Sequence, residues 1–482
     1  MNRRQFLKSS VLAGAGTVSA LSCASRSRII GANDEIRVAA VGFRSKGAQH
    51  IEVFHGLPGV RVAALCEVDE EILNREAAKF RERGEPVETY GDVRRVIDNK
   101  EIDALVVAAP NHWHSLIAIW ALQAGKDVYV EKPVSHNIWE GRKLVEAARK
   151  YKRIVQAGTQ NRSDTGLRAA VAYIQEGNLG KILWGYGLWY KRRQNIGLVR
   201  EPQKVPETLN YDLWTGPAPL VPLMRQELHY DWHWFWSFGN GDMGNLGVHQ
   251  IDDCRWAVGQ SGYPRRVMSF GGRFGFDDNG ETPNTQITLF DYTPAPLIIE
   301  VRNLPMKKGV RVMDHLRGVR AGNIIQCENG YFAGGRGGGW IYDNDGVKIK
   351  QFPGDGGGDH QANFIAAVRS RKEKDLRADV FEGHISSALC HLANISYRLG
   401  SPVTPEQLGR DIGGYEQAQG ALDRFRAHLE ANEIDLGKYP LISGPWLQVD
   451  EENERLTGPF AEKANAHLRR QYRSPFVVPE KV

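Results

Sequence analysis

Asp127-Val-Tyr-Val-Glu-Lys-Pro133 puts a carboxylate and an ammonium at the end of a short run of strand formers. Pro133 has no N–H to donate and stops the ladder there. Open parallel sheets bind ligands at this edge, so Glu131 and Lys132 are candidates for a binding site. Gly42-Phe43-Arg44-Ser-Lys-Gly47 has the outer glycines of a dinucleotide turn, with Arg44 where the middle glycine would stand. Glu67 comes 25 residues after Gly42, at the end of the next strand. A carboxylate there can bind ribose hydroxyls and repel a 2′-phosphate, which favours NAD over NADP; Asp69 is the other candidate. Pro110-Asn-His-Trp-His114 follows a third apolar run and opens a helix. Free helix N–H groups face the ligand cleft there, which adds Pro110, Asn111 and His114 to the candidates. His112 and His114, with no thiolate or carboxylate beside them, make a poor metal site, and no metal is expected.

These groups need a scaffold, and the chain supplies one. Strand-like runs at 35–41, 60–66, 103–109 and 127–130 alternate with helical segments at 52–57, 70–83, 92–98, 113–124 and 139–150. The run at 103–109 is continuously apolar, as a strand buried on both faces requires. Alternation of this kind predicts an α/β fold, an N-terminal Rossmann-type doubly wound domain over 34–155. Beyond it, helices at 165–177, 363–371 and 385–399 flank strands at 182–191, 267–274, 285–292, 297–302 and 324–329. The glycine runs at 334–339 and 354–358 read as loops. This predicts a second, α+β domain over 156–415 with an open, largely antiparallel sheet. Residues 416–482 read as one helix followed by an extended, proline-punctuated tail.

The first 33 residues stand apart. Asn2-Arg-Arg-Gln-Phe-Leu-Lys8 precedes a modest apolar run, Val11–Leu21, and then small residues. This is the pattern of a twin-arginine (Tat) export signal, and it predicts a periplasmic protein. The apolar run is too short and too rich in glycine and alanine to span a bilayer stably. Ala20-Leu-Ser-Cys23 makes Cys23 a candidate for a lipid anchor. The formal charge of +5 over 482 residues comes wholly from this leader: without Arg3, Arg4, Lys8, Arg26 and Arg28, 57 basic side chains face 57 acidic ones. Nothing therefore argues for nucleic acid as a partner. Cys66, Cys254, Cys327 and Cys390 show no metal or disulfide spacing and read as small core residues.

Taken together, the glycine turn, Ala108-Ala-Pro-Asn-His-Trp-His114, Glu131-Lys132-Pro133 and Ala157-Gly-Thr-Gln160-Asn-Arg162 resemble the glucose–fructose oxidoreductase / inositol dehydrogenase (Gfo/Idh/MocA) superfamily. Tyr211–Pro219, Gly241–Asp252 and Asn363–Arg371 extend the resemblance over about residues 34 to 410. The resemblance implies NAD held by Gly42, Phe43, Arg44, Gly47, Glu67, Pro110, Asn111, His114, Glu131, Lys132 and Gln160. It implies that Lys132 stands beside the nicotinamide and stabilises an alkoxide, and that His249 is the proton acceptor. Asp252 or Asp253 would orient His249 if that segment is helical. Many members carry an aspartate four residues before the histidine; this chain has Asn245, which cannot take a proton. A homo-oligomer is also expected.

His229-Tyr-Asp-Trp-His-Trp-Phe-Trp236 precedes that site. Read as a strand or extended loop, it puts Trp232 and Trp234 on one face, where aromatic rings can pack on the C–H faces of a sugar. Arg162 and Tyr190, with Lys191, are expected to complete a substrate pocket that includes Asn245, His249 and Asp252. The sequence therefore predicts an NAD-dependent oxidoreductase acting on a small carbohydrate hydroxyl. The alternatives are a glycosidase of the same superfamily, working by oxidation, elimination and reduction, and a non-catalytic sugar-binding protein. Arg44 and Asn245 are the features that would favour the last.

Overall fold

The computed structural model describes residues 35–482; the expected leader and Cys23 lie outside them. The first domain runs β1 (Ile36–Val41), α1 (Lys46–His55), β2 (Val60–Cys66), α2 (Glu70–Glu82), β3 (Glu88–Tyr90), α3 (Val93–Asp98), β4 (Ala104–Val107), α4 (Asn111–Gln123), β5 (Asp127–Val130), α5 (Ile138–Tyr151) and β6 (Val155–Ala157). Its six strands are parallel in the order β3-β2-β1-β4-β5-β6. This is the doubly wound order, which puts the ends of β1, β2, β4 and β5 along one crevice. Strands β1, β4 and β5 are buried at every residue, as helices on both faces require.

The second domain runs α6 (Thr165–Gln175), β7 (Ile182–Tyr190), α7 (Tyr211–Thr215), a π-helical turn at Met243–Gly247, α8 (Val248–Ala257), β8 (Arg266–Gly272), β9 (Thr285–Phe290), β10 (Leu297–Arg302), β11 (Ala321–Cys327), β12 (Gly330–Gly335), β13 (Gly338–Tyr342), β14 (Lys348–Pro353), α9 (His360–Ser370), α10 (Val380–Arg398), β15 (Ser401–Pro402), α11 (Pro405–Ile412), α12 (Glu416–Ala431), β16 (Ile442–Ser443), β17 (Leu447–Asp450), β18 (Arg455–Thr457) and α13 (Ala461–Asn465). Its strands form one open, largely antiparallel sheet, apart from the parallel β7–β10 pair. One face packs on α6, α8 and α10 and the other on α11 and α12. The glycines at 334–339 are not a loop: they belong to β12, β13 and the turn between them.

Two segments leave the domain that chain order assigns them. Helix α9 packs on the Rossmann sheet: Phe364 is fully buried and meets Phe54 and Tyr129 edge-on at centroid distances of 6.2 and 6.0 Å. On the sheet's other face lie Phe476, Val478 and Val482 from the C-terminal tail, with Phe476 edge-on to Trp113 at 5.4 Å. The tail is thus a structural part of both domains, since β16 and β17 also pair with β8. Among the described residues no helix is long and apolar enough to cross a membrane. Truncating Phe364 leaves a cavity between the sheet and α9. Phe364→Ala is expected to lower the unfolding free energy by about 3–5 kcal/mol, read by chemical denaturation.

Candidate functional site

The carboxyl ends of β1, β2, β4 and β5 open into a cavity of about 430 Å³ whose far wall comes from the second domain. Its first end is the β1–α1 turn. Gly42 has φ +76°, and a Cβ there would stand 2.6 Å from Ala109 Cα; a Cβ on Gly47 would stand 2.0 Å from the Gly42 carbonyl oxygen. Only glycines allow the turn to press against the β4 end in this way. Phe43, Arg44, Ser45 and Lys46 line the cavity. Helix α1 starts there with no side-chain cap and no acid in its first turn, an anion-binding arrangement. Arg44 lies 3.6 Å from Glu227 across the opening.

Glu67 closes this end. Its carboxylate accepts from the N–H of Phe43 at 3.1 Å and of Val68 at 2.8 Å. Burial raises its pKa, against the pull of those N–H groups. Asp69 is engaged elsewhere: it caps α2 through the Glu71 N–H and meets His229 Nε2 at 2.9 Å. Of the two candidates, Glu67 is therefore the one that lines the cavity.

Beyond it lie Pro110, Asn111 and His114. Asn111 Nδ2 donates to Asn240 Oδ1 of the second domain at 3.1 Å. Both ring nitrogens of His114 stand against carbonyls, Pro133 O at 2.7 Å and Ala109 O at 2.6 Å. The ring lines the cavity and also ties the β4 end to the Glu-Lys-Pro turn, whose Lys132–Pro133 bond is cis. Glu131 meets His50 Nε2 at 2.8 Å, and Gly158 leaves it room, since a Cβ there would stand 2.9 Å from its carboxyl.

Lys132 crosses to the second domain. Its Nζ donates to the main-chain oxygen of Asn245 at 2.7 Å, within the π-helical turn. Burial lowers its pKa and Glu131 opposes that shift. Behind Asn245, the buried Asp242 accepts from Arg193 Nη2 at 2.8 Å, Asn303 Nδ2 at 2.6 Å and Asn245 Nδ2 at 3.3 Å. His249 follows one turn later on α8, stacked on Trp189 at 6.2 Å. Burial first, then the Lys132 charge, hold His249 down to about 3, so the ring is neutral in neutral solution.

Several expected neighbours do not reach the cavity. Arg162 is buried against Asp252, Nε to Oδ2 at 2.8 Å, and also meets Glu382. Asp252 accepts from Ser386 as well, so it does not orient His249. Asp253 accepts from Asn161 and Asn323, and burial with the Asp252 charge pushes it up to about 8. No hydrogen-bond partner meets His249 Nδ1 among the described residues. Tyr190 points away, its hydroxyl donating to Glu300 at 2.6 Å within the sheet. Residues 231–234 form a 3-10 turn and not a strand, so Trp232 and Trp234 do not share a face by alternation. Trp232 lines the cavity with its ring stacked on His233 at 3.7 Å, whereas Trp234 is buried beneath Arg193. Gln160 and Lys191 do line the cavity, together with Arg193, Tyr230 and His233. Arg193, Tyr230 and His233 are among the residues that sequence reasoning passed over: Arg193 lies in an irregular stretch after β7, where no periodicity marks it.

The donor set fits a dinucleotide. A glycine turn and an uncapped helix start stand at one end, the Glu67 carboxylate beside them, and an ammonium at the other. Comparisons with known proteins agree. Residues 36–159 match the family described as oxidoreductase family, NAD-binding Rossmann fold, and residues 179–268 match the oxidoreductase family C-terminal alpha/beta domain. A glycosyl hydrolase family 109 protein of Saccharopolyspora erythraea is 28% identical over 209 residues, 39% of this chain and 45% of that protein. An inositol 2-dehydrogenase of Salmonella typhimurium is 27% identical over 180 residues, 37% of this chain and 52% of that protein. The chain thus matches about half the length of these curated relatives. In fold it is similar to the WlbA dehydrogenase of Bordetella pertussis, solved in complex with NADH and UDP-GlcNAcA, at TM-score 0.56 and 21% identity over 76% of this chain and 97% of that one. Levoglucosan dehydrogenase, solved in complex with NADH and levoglucosan, aligns at TM-score 0.56 and 18% identity over 75% and 96% of the two chains.

The position of Glu67 yields a test. Glu67→Ala is expected to weaken NAD binding about tenfold, the worth of a charged hydrogen bond, and to narrow the gap to NADP. Tryptophan-fluorescence titration of cofactor-stripped protein reads both; a wild-type preference for NADP would remove Glu67 from this role.

Proposed function

Because the chain belongs to the Gfo/Idh/MocA superfamily of oxidoreductases, whose two domains match residues 36–159 and 179–268, we propose that it oxidises a hydroxyl of a sugar or glycoside with a tightly held, internally recycled NAD. One observation carries the reading: Lys132 from the first domain and His249 from the second line the same cavity, whose other end is built from the glycine turn and Glu67.

The chemistry NAD supplies when bound is acceptance of a hydride from the carbinol carbon. The chain's own residues handle the proton and the developing charge. The ammonium of Lys132, fixed by the Asn245 carbonyl, stabilises an alkoxide. The hydroxyl proton passes to the neutral ring of His249. The two steps help each other, since the Lys132 charge is among the causes that hold His249 low. An alkoxide forming on Lys132 offsets that charge and makes His249 a better base.

The tail supports the reading that the cofactor is retained. Arg473 donates from Nη2 to Asp212 O at 2.6 Å and to Thr215 Oγ1 at 3.1 Å. It thereby pins α7, whose Leu213 and Trp214 line the cavity. With the expected Tat export, a folded protein would carry its NAD to a compartment with no pool to exchange with, so the hydride must be returned. A second reading, cleavage of a glycoside by oxidation, elimination and re-reduction, is favoured by the likeness to glycosyl hydrolase family 109 proteins.

Purified protein is expected to release NAD on denaturation and to turn over without added NAD. Incubation with a panel of glycosides and free sugars, reading reduced cofactor and released aglycone, separates the two readings. Protein that emerges empty and consumes free NAD one-for-one with product would contradict the closed cycle.

A further inference from the structure

The two halves of the cavity differ in charge. The acids on its wall, Glu67, Asp92 and Glu131, all come from the first domain. The second domain contributes Lys191 and Arg193, together with histidines, aromatic rings and Asn245, and no carboxylate. Arg193 is already matched, held by both oxygens of the buried Asp242 and by the Tyr230 hydroxyl. Glu131 is matched by His50. Lys132 rests on a neutral carbonyl.

Lys191 differs from all of these. Its backbone is fixed where the chain leaves β7: its N–H donates to Arg302 O at 2.9 Å, and its carbonyl accepts from Asn303 Nδ2 at 3.1 Å. Its side chain is exposed, and its ammonium makes no hydrogen bond or salt bridge among the described residues, although the Asp242 charge acts on it from behind Arg193. The backbone is thus held while a charged head is left at the cavity wall near Arg193 and Arg320, with one carboxylate, Asp242, to answer the three cations. Holding like charges together without a counter-ion is unfavourable, and an arriving anion relieves it.

We propose, resting on the reading of this cavity as a sugar site, that the substrate carries a fixed negative charge and that Lys191 pairs with it. The group is a carboxylate, as on a uronic acid, or a sulfate or phosphate ester. A lysine ammonium is a point charge with three donors and accepts any of these oxyanions. Neighbouring rings, Trp232 stacked on His233 among them, supply an apolar surface for the sugar's C–H face.

The test uses the purified, cofactor-bearing protein and four probes: methyl glucoside, methyl glucuronide, glucose 6-sulfate and glucose 6-phosphate. Binding is read by tryptophan fluorescence and turnover by sugar oxidation. At least one charged probe is expected to bind about tenfold or more tightly than methyl glucoside, with an advantage that shrinks as salt is raised. Lys191→Met should abolish that advantage and Lys191→Arg should keep most of it; which probe wins identifies the anion. If methyl glucoside binds as tightly as every charged probe, or the advantage survives Lys191→Met, the proposal falls while the oxidoreductase reading stands. If no probe binds and none is oxidised, both fall.

Discussion

The ammonium of Lys132 is the constraint on which the site depends. A lysine at the carboxyl end of a buried strand loses water, and something must replace it. Here the replacement comes from the other domain: Asn245 O at 2.7 Å, with Asp242 behind it. That bond needs a main-chain oxygen not wholly committed to its own helix, and a π-helical turn lies at that point. The same turn sets the start of α8 and hence the position of His249. One donor–acceptor pair thus spans the crevice and aligns the two groups proposed to act on the hydroxyl.

Further bridges hold the crevice around that pair. Asn111 reaches Asn240, and His114 ties the β4 end to Pro133. Beneath the site, Arg162 and Arg255 meet Asp252 and Glu382 in a buried network that fixes α8 against α10. Such a network is costly to break, since one uncompensated buried charge is worth several kcal/mol. It places α8.

The first domain was legible because its strands are continuous apolar runs bounded by glycine and by helix starts. β2 falls at Val60–Cys66 as the sequence predicts. The three-residue strands β3 and β6 were missed, being too short to show a period. Contacts distant in sequence were not legible. Arg162 and Asp252 read as pocket residues because each sits in a family motif, but 90 positions apart they find each other instead. Alternating tryptophans suggested a strand or extended loop over 229–236, where a 3-10 turn at 231–234 brings Trp232 onto His233. Nothing local could tell that α9 packs on the Rossmann sheet, because an apolar helix face does not name its partner.

The central claim is that Lys132 and His249 act together on one hydroxyl. The most direct measurement is the transient of reduced nicotinamide in a single turnover, for wild type, Lys132→Met, His249→Ala and the double variant. Each single change should slow the transient by about 10²–10³-fold, the worth of one oxyanion donor. The double variant should be little slower than the poorer single one, because the two residues serve one step. A wild-type transient in either single variant, or losses that multiply in the double, would contradict the account.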